Sequence, residues 1–255
     1  MGLITLLTDF GTRDGYVGEM KGVIYAALPD ARVVDISHDI APQDIEAARL
    51  AVARYWLRFP PGTVHLVIVD PGVGTDRTPI AVASDGRALV GPDNGVLSPA
   101  LLRPDVRVVA LPVPPQASAT FHGRDVFAPA AARLAAGASL ESLGLTHGDA
   151  VVRRTPEARR LPDGTVAGEV ILVDRFGNLI TNLVAPRGGT VVLGAHVVPI
   201  VRAYGDVAPG DLIAVVGSSG LVELAVRDGS AQRTVGAGRG AVVVLRPEPW
   251  VLTPA

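Results

Sequence analysis

The chain contains no cysteine, so disulfides and thiolate metal sites are excluded, and the composition suits a reducing compartment. Lysine is almost missing too: Lys21 stands alone among cations that are otherwise arginine. With Lys+Arg 23 against Asp+Glu 25, the formal charge is -2, which offers neither the basic surface of a nucleic-acid binder nor an acidic tail. No long apolar run opens the sequence. The stretch before Asp9 in MGLITLLTDFGTRDG is too short for a signal core or a membrane span. A soluble cytoplasmic protein without membrane or nucleic-acid partners is therefore expected. HExxH, an HxH pair and a GxSxG elbow are lacking as well, which argues against a zinc hydrolase and a Ser-His-Asp hydrolase. A small polar substrate remains.

What is present is a chain of 255 residues, 48% hydrophobic, long enough for one large or two modest domains. LITLLT, a helix from Tyr16 to Leu28, ARVVDIS, a helix from about Gln43 to Trp56, and TVHLVIVD follow one another. That alternation predicts an α/β N-terminal domain with a mostly parallel sheet over residues 1–155. A polar stretch with Pro156 and Pro162 reads as a linker at 156–165. Residues 166–255 are short β-rich runs between turns, predicting a smaller all-β domain without helices.

In an open parallel sheet, ligands bind beyond the carboxyl ends of the strands, so polar residues there are the first candidates. Asp9 ends LITLLT and reads equally as a turn residue or as an acceptor for a vicinal diol. Asp14 is a helix cap or a partner for a substrate ammonium. Asp70 follows TVHLVIV, and Pro71, Gly72 and Gly74 allow a tight loop that turns Arg77 back towards it. The bland alternative is an exposed ion pair, which would contribute little. His122 in FHGRD and the turn in VDRFGNLITN complete the set.

Taken together, TDFGTRDGYVGEMKGVI, VDISHDIAPQDIEAA, VDPGVGT, GPDNGVLS, FHGRDVFAPAAA, VDRFGNLITN and SSGLVELAVRDGSA resemble the S-adenosylmethionine hydroxide adenosyltransferase family, relatives of the fluorinases and chlorinases. The match runs in order from Ile4 to Ala231. The resemblance implies that Asp9 holds the ribose hydroxyls and that Asp14 meets the methionine ammonium. Asp174 would also face that amine, although halogenating members have one extra residue just after it. Asn178 matches an adenine-binding residue, Ser218 and Ser219 match donors to the methionine carboxylate, and backbone groups of Arg227 and Gly229 match adenine contacts.

Halogenating members carry tyrosine where this chain has Asp70, and Tyr-Ser or Tyr-Gly where it has His122-Gly123. Asp70, Arg77 and His122 match the set of the hydroxide-using members. The resemblance therefore implies hydrolysis of S-adenosyl-L-methionine to adenosine and L-methionine, with either Asp70 or His122 accepting the proton. No metal or cofactor is implied. It also implies a homotrimer, or a dimer of trimers, in which the 166–255 domain completes a neighbouring subunit's site. The alternatives are a halogenase of the same family and a nucleoside-binding or S-adenosylmethionine-binding sensor without turnover.

Overall fold

The structure is a computed structural model that describes residues 2–185 and 188–247. The chain divides into two compact units, Met1–Arg154 and Thr155–Ala255. Residues 248–255 of the expected second domain lie outside the described residues.

The first unit contains strands β1 (Leu3–Thr8), β2 (Arg32–Ser37), β3 (Val64–Ile68), β4 (Pro79–Ser84), β5 (Arg87–Pro92), β6 (Arg107–Ala110) and β7 (Leu145–Thr146) in one sheet of order β2-β1-β3-β5-β4-β6-β7. Helices α1 (Tyr16–Ala27), α2 (Ile45–Tyr55), α3 (Ser98–Leu101) and α4 (Ala128–Ala135) cover it. Successive side chains on a strand point to opposite faces, and here both faces are apolar. Ile4, Leu6, Leu66 and Ile68 pack with Met20, Ile24 and Ala131 on one side. Leu7, Val67 and Val69 pack with Ala48, Val52, Trp56 and Leu97 on the other.

The expectation of a mostly parallel sheet needs correction. β2, β1, β3 and β5 are parallel, but β4 pairs antiparallel with both β5 and β6, and β6 with β7, so the sheet is mixed. The cause is local. Asp85 and Gly86 both have positive φ and close a two-residue hairpin, a turn whose twist matches that of the strands it joins.

The second unit is strand-rich: β8 (Arg159–Arg160), β9 (Val166–Val173), β10 (Leu179–Thr181), β11 (Gly189–Leu193), β12 (His196–Val201), β13 (Leu212–Val216), β14 (Val222–Val226) and β15 (Val242–Pro247). β9 pairs with both β15 and β10, so seven of these strands close into a barrel around Val170, Leu179, Val191, Leu224 and Val243. Closure removes the exposed edges that an open sheet would leave. β8 falls inside the stretch expected as a linker and lies along β9. One short helix, α5 (Ala231–Val235), corrects the expectation of no helix. Ser230 caps its start by accepting from Arg233 N, and Gly236 in the left-handed region ends it.

Candidate active site

In the first unit the parallel register sets Thr8 opposite Ile68, so Asp9 and Asp70 leave neighbouring strands at the same end of the sheet. The loop after β3 then folds back on itself. Val73 N donates to Asp70 O at 3.3 Å, and Thr75 donates to Gly72 O through both N (3.2 Å) and Oγ1 (2.7 Å). Gly74 has φ +76, and a Cβ there would lie 2.4 Å from Ala119 O, so a side chain at this position would force the loop away.

This loop delivers Arg77 onto Asp70. Nε donates to Oδ1 at 3.1 Å and Nη2 donates to Oδ2, a two-point pairing of guanidinium and carboxylate. Both side chains are more than nine-tenths buried. Arg77 also lies over the Phe127 ring at 5.4 Å, and Nη2 sits 3.4 Å from His122 Nδ1. Arginine is only a donor, so this contact makes Nδ1 the acceptor and places the proton of a neutral His122 on Nε2.

Burial pushes the Asp70 carboxyl above its ordinary value, an effect opposed by the charge and hydrogen bonds of Arg77 and by His122. Burial, helped by the positive charge of Arg77, pushes His122 below its ordinary value, against the pull of Asp70 and Asp125. The imidazole is thus held neutral beside an arginine-paired carboxylate. His122 introduces a single π-turn, Gly123–Phe127, that runs into α4. A Cβ on Gly123 would meet Phe121, Met20 and Ile68 within 3.4 Å, which leaves no room for a larger residue without movement.

Three rings tie the loops together. Phe10, Tyr16 and Phe121 meet edge-to-face at 5.4–5.9 Å, joining the segments that carry Asp9, Asp14 and His122. Asp9 accepts from Gln43 N at 2.7 Å through Oδ2. Asp14 is exposed in the loop before α1. Sequence reasoning missed Asn94, whose Nδ2 donates to Val69 O at 2.9 Å and so steadies the residue before Asp70. Its signal was the turn-forming GPDNG, read without a role.

The second unit holds a cleft of about 650 Å³, lined by Asn178, Arg227 and Gly229 together with Phe176, Tyr204 and Val226. Phe176 is 74% exposed and Tyr204 43%, unusual for aromatic rings and open to stacking by a planar ligand. Neither was singled out from the sequence, although Phe176 lies within VDRFGN. The turn that carries Asn178 is organised by Asp174: Oδ1 accepts from Phe176 N and Asn178 N, and Oδ2 from Asn178 Nδ2, each at 2.9 Å. Asn178 Oδ1 remains an acceptor. Gly177 has φ +82, and a Cβ there would lie 2.1 Å from Ser230 Oγ.

Arg227 N donates to Asp211 O at 3.1 Å and its carbonyl accepts from Gly210 N at 2.8 Å, so its N–H is already committed and only the carbonyl has a further lone pair. Ser218 and Ser219 are exposed in the β13–β14 turn and do not line the cleft. Among the described residues, no group of three or more His, Asp or Glu converges as metal ligands would. No helix among them is long and apolar enough to cross a membrane.

Comparison with known proteins bears on the whole chain. Residues 4–144 match the SAM hydroxide adenosyltransferase N-terminal domain, and residues 168–244 match the corresponding C-terminal domain. The chain is 44% identical to an (R)-S-adenosyl-L-methionine hydrolase from Thermus thermophilus over 95% of its own length and 98% of the relative's. Fluorinases are more distant: one from Actinopolyspora mzabensis is 29% identical over 71% of each chain. Among solved structures, an uncharacterized conserved protein from Thermotoga maritima superposes with a TM-score of 0.86 at 34% identity, covering 95% of this chain and 99% of the other.

Proposed function

The chain belongs to the SAM hydroxide adenosyltransferase family, and on that premise we propose that it cleaves S-adenosyl-L-methionine with water at C5′, releasing adenosine and L-methionine. The observation that carries this reading is the buried two-point pair of Asp70 and Arg77 with His122 against it. In the reaction the C5′–S bond breaks as a C5′–O bond forms. Sulfur keeps the electron pair and leaves as a neutral thioether, so no general acid is required. What must be supplied is an oriented nucleophile and a place for its proton.

Asp70 is the anionic acceptor of the three, and it takes the proton. His122 with its proton on Nε2 is left to orient the water as a donor. Arg77 keeps Asp70 ionised despite burial. General-base assistance of this kind contributes about 10²- to 10⁴-fold, and orientation supplies the remainder. A buried carboxylate where halogenating relatives have tyrosine would repel a halide, which disfavours the halogenase reading. No metal or cofactor enters this scheme.

The reading assigns ribose to Asp9, adenine to the cleft of Asn178, Arg227 and Gly229, and the methionine end to Asp14, Asp174, Ser218 and Ser219. It also assigns the first unit's residues, Asp9, Asp14 and Asp70 with its partners, and the second unit's, Asp174 through Gly229, to different subunits of a trimer, or of a dimer of trimers, in a cytoplasmic enzyme. An active species that sediments strictly as a monomer would contradict the assembly. The Thermus relative's name specifies the R configuration, and a pyramidal sulfonium has two epimers, so the proposal extends to the R epimer. Incubation with each separated epimer, followed by chromatography of the nucleoside, tests both parts. Adenosine from the R epimer is expected. Tight binding of either epimer with no nucleoside released over hours would favour a sensor.

A further inference from the structure

The segment VDISHDIAPQDIEAA does not enter the reaction scheme, yet it makes three contacts around Asp9. His38 is buried, and its Nδ1 lies 2.9 Å from Thr8 Oγ1, on the residue before Asp9. Its carbonyl accepts from Gly11 N at 2.8 Å, two residues after Asp9. The third contact is on the carboxylate itself, where Gln43 N donates to Oδ2 at 2.7 Å. On its far side His38 is backed by Asp35, with Nε2 and Oδ1 3.0 Å apart, and Lys21 donates to the other oxygen of Asp35 at 2.6 Å.

Gln43 adopts φ +66, a left-handed conformation that non-glycine residues rarely take. It is held there from both sides. Ile45 N donates to the Gln43 carbonyl at 2.9 Å, Asp44 N donates to Ala41 O at 3.0 Å, and Asp44 caps α2 by accepting from Ala47 N at 2.9 Å. Strain of this kind persists where the surroundings over-determine it, and here its effect is to aim one N–H at Asp9. The Gln43 side chain is exposed, so the backbone provides the contact.

We propose that His38 and Gln43 are positioning residues, which fix the turn and the carboxylate of Asp9 before ligand arrives so that Oδ1 and the remaining lone pair of Oδ2 face a vicinal diol. The inference rests on the reading of Asp9 as the ribose carboxylate. Its energetic basis is pre-organisation: a carboxylate already oriented loses less freedom on binding than one on an unrestrained turn.

The test is calorimetric titration of the full-length protein with adenosine and with 2′,3′-dideoxyadenosine, which lacks the diol. Asp9→Asn should weaken adenosine about 10- to 100-fold and leave the dideoxy compound unchanged. If it does not, the ribose reading fails and takes this inference with it. Given that result, His38→Ala should weaken adenosine about 5- to 10-fold, spare the dideoxy compound, and add nothing in an Asp9→Asn background. His38→Asn, which can place an amide atom near the Nδ1 position, should restore most of the loss.

Gln43 supplies a second route that does not disturb the interior. Gln43→Gly keeps the N–H and accepts positive φ, so adenosine affinity should stay within about twofold; Gln43→Val resists that conformation and should lose affinity as His38→Ala does. Equal losses for both ligands, additive losses in the double variant, or equal behaviour of the Gly and Val variants would each overturn the proposal.

Discussion

The two units handle their polar groups in opposite ways. In the first, Asp70, Arg77 and His122 are withdrawn from water and pair with one another, with Arg77 Nη1 left buried and without a hydrogen-bond partner among the described residues, backed by Phe127 and by a loop whose glycine admits no side chain. In the second, Asn178, Arg227 and Gly229 border an open cleft whose rings, Phe176 and Tyr204, are exposed. Charges kept in low dielectric act strongly and need no reorganisation, as a reacting centre requires. Exposed rings and spare backbone acceptors suit recognition of a flat ligand that arrives from solution. On the proposed reading the contrast separates chemistry from recognition, and it can be broken at either end.

The largest effect is expected at the buried pair. Asp70→Asn should lower turnover about 10²- to 10⁴-fold while leaving substrate affinity nearly intact, measured by single-turnover and titration experiments. Because burial raises the Asp70 pKa in the free protein and the proposed active form is ionised, kcat/KM should fall as pH falls through a midpoint above the ordinary value of 3.8. That acid limb should be missing from the Asp70→Asn variant.

A second expected difference concerns stability. All three buried histidines among the described residues, His38, His65 and His122, lie in the first unit. For His65, burial, aided by the charge of Arg87, pushes the pKa down to about 4. The unfolded chain takes up this proton near 6.5 and the folded chain only near 4. The stabilisation is therefore complete above about pH 6.5, declines as pH falls, and is exhausted below about 4, a loss of about 3 kcal/mol. Urea unfolding followed by Trp56 fluorescence in a Trp250→Phe background should show this loss between pH 7.5 and 4.5. Unchanged stability over that range would remove His65 as an acid-sensitive element.

Smaller effects are expected where the ligand is recognised. Asp9→Asn should weaken nucleoside binding by about 1.5–3 kcal/mol, since an amide is a poorer acceptor for two hydroxyls than a carboxylate. Phe176→Ala should cost about 1 kcal/mol of adenosine affinity and leave the melting temperature unchanged, because its ring is mostly exposed in the free protein. A fall in stability with intact affinity would instead make Phe176 a structural residue.

Much of this arrangement was legible in the sequence, and the exceptions have physical causes. The strand ends that carry Asp9 and Asp70, and the glycine loop that returns Arg77, follow from apolar periodicity and turn chemistry. Assigning these residues to one site took the resemblance along the whole chain and stands as a proposal, since each segment alone also fits a structural role. The mixed sheet was readable from Asp85-Gly86 between two apolar runs, a hairpin signal that the alternation of strands and helices overshadowed. Helix α5 has five residues, too few for a periodic pattern, although Ser230 and Gly236 mark its ends. The π-turn after His122 and the left-handed Gln43 are set by tertiary packing and leave no local signature. The β9–β10 hairpin is local, but barrel closure also needs β9 to pair with β15 near the other end of the unit, and no strand pattern encodes which distant edges meet.

The central claim is that Asp70 directs water onto C5′ of S-adenosyl-L-methionine. Turnover in ¹⁸O-labelled water with chloride present, followed by mass spectrometry of the nucleoside, tests it most directly. The account predicts adenosine carrying the label on its 5′ oxygen, no 5′-chloro nucleoside, and almost no product from Asp70→Asn. Unlabelled adenosine, a halogenated nucleoside, or full activity in that variant would contradict it.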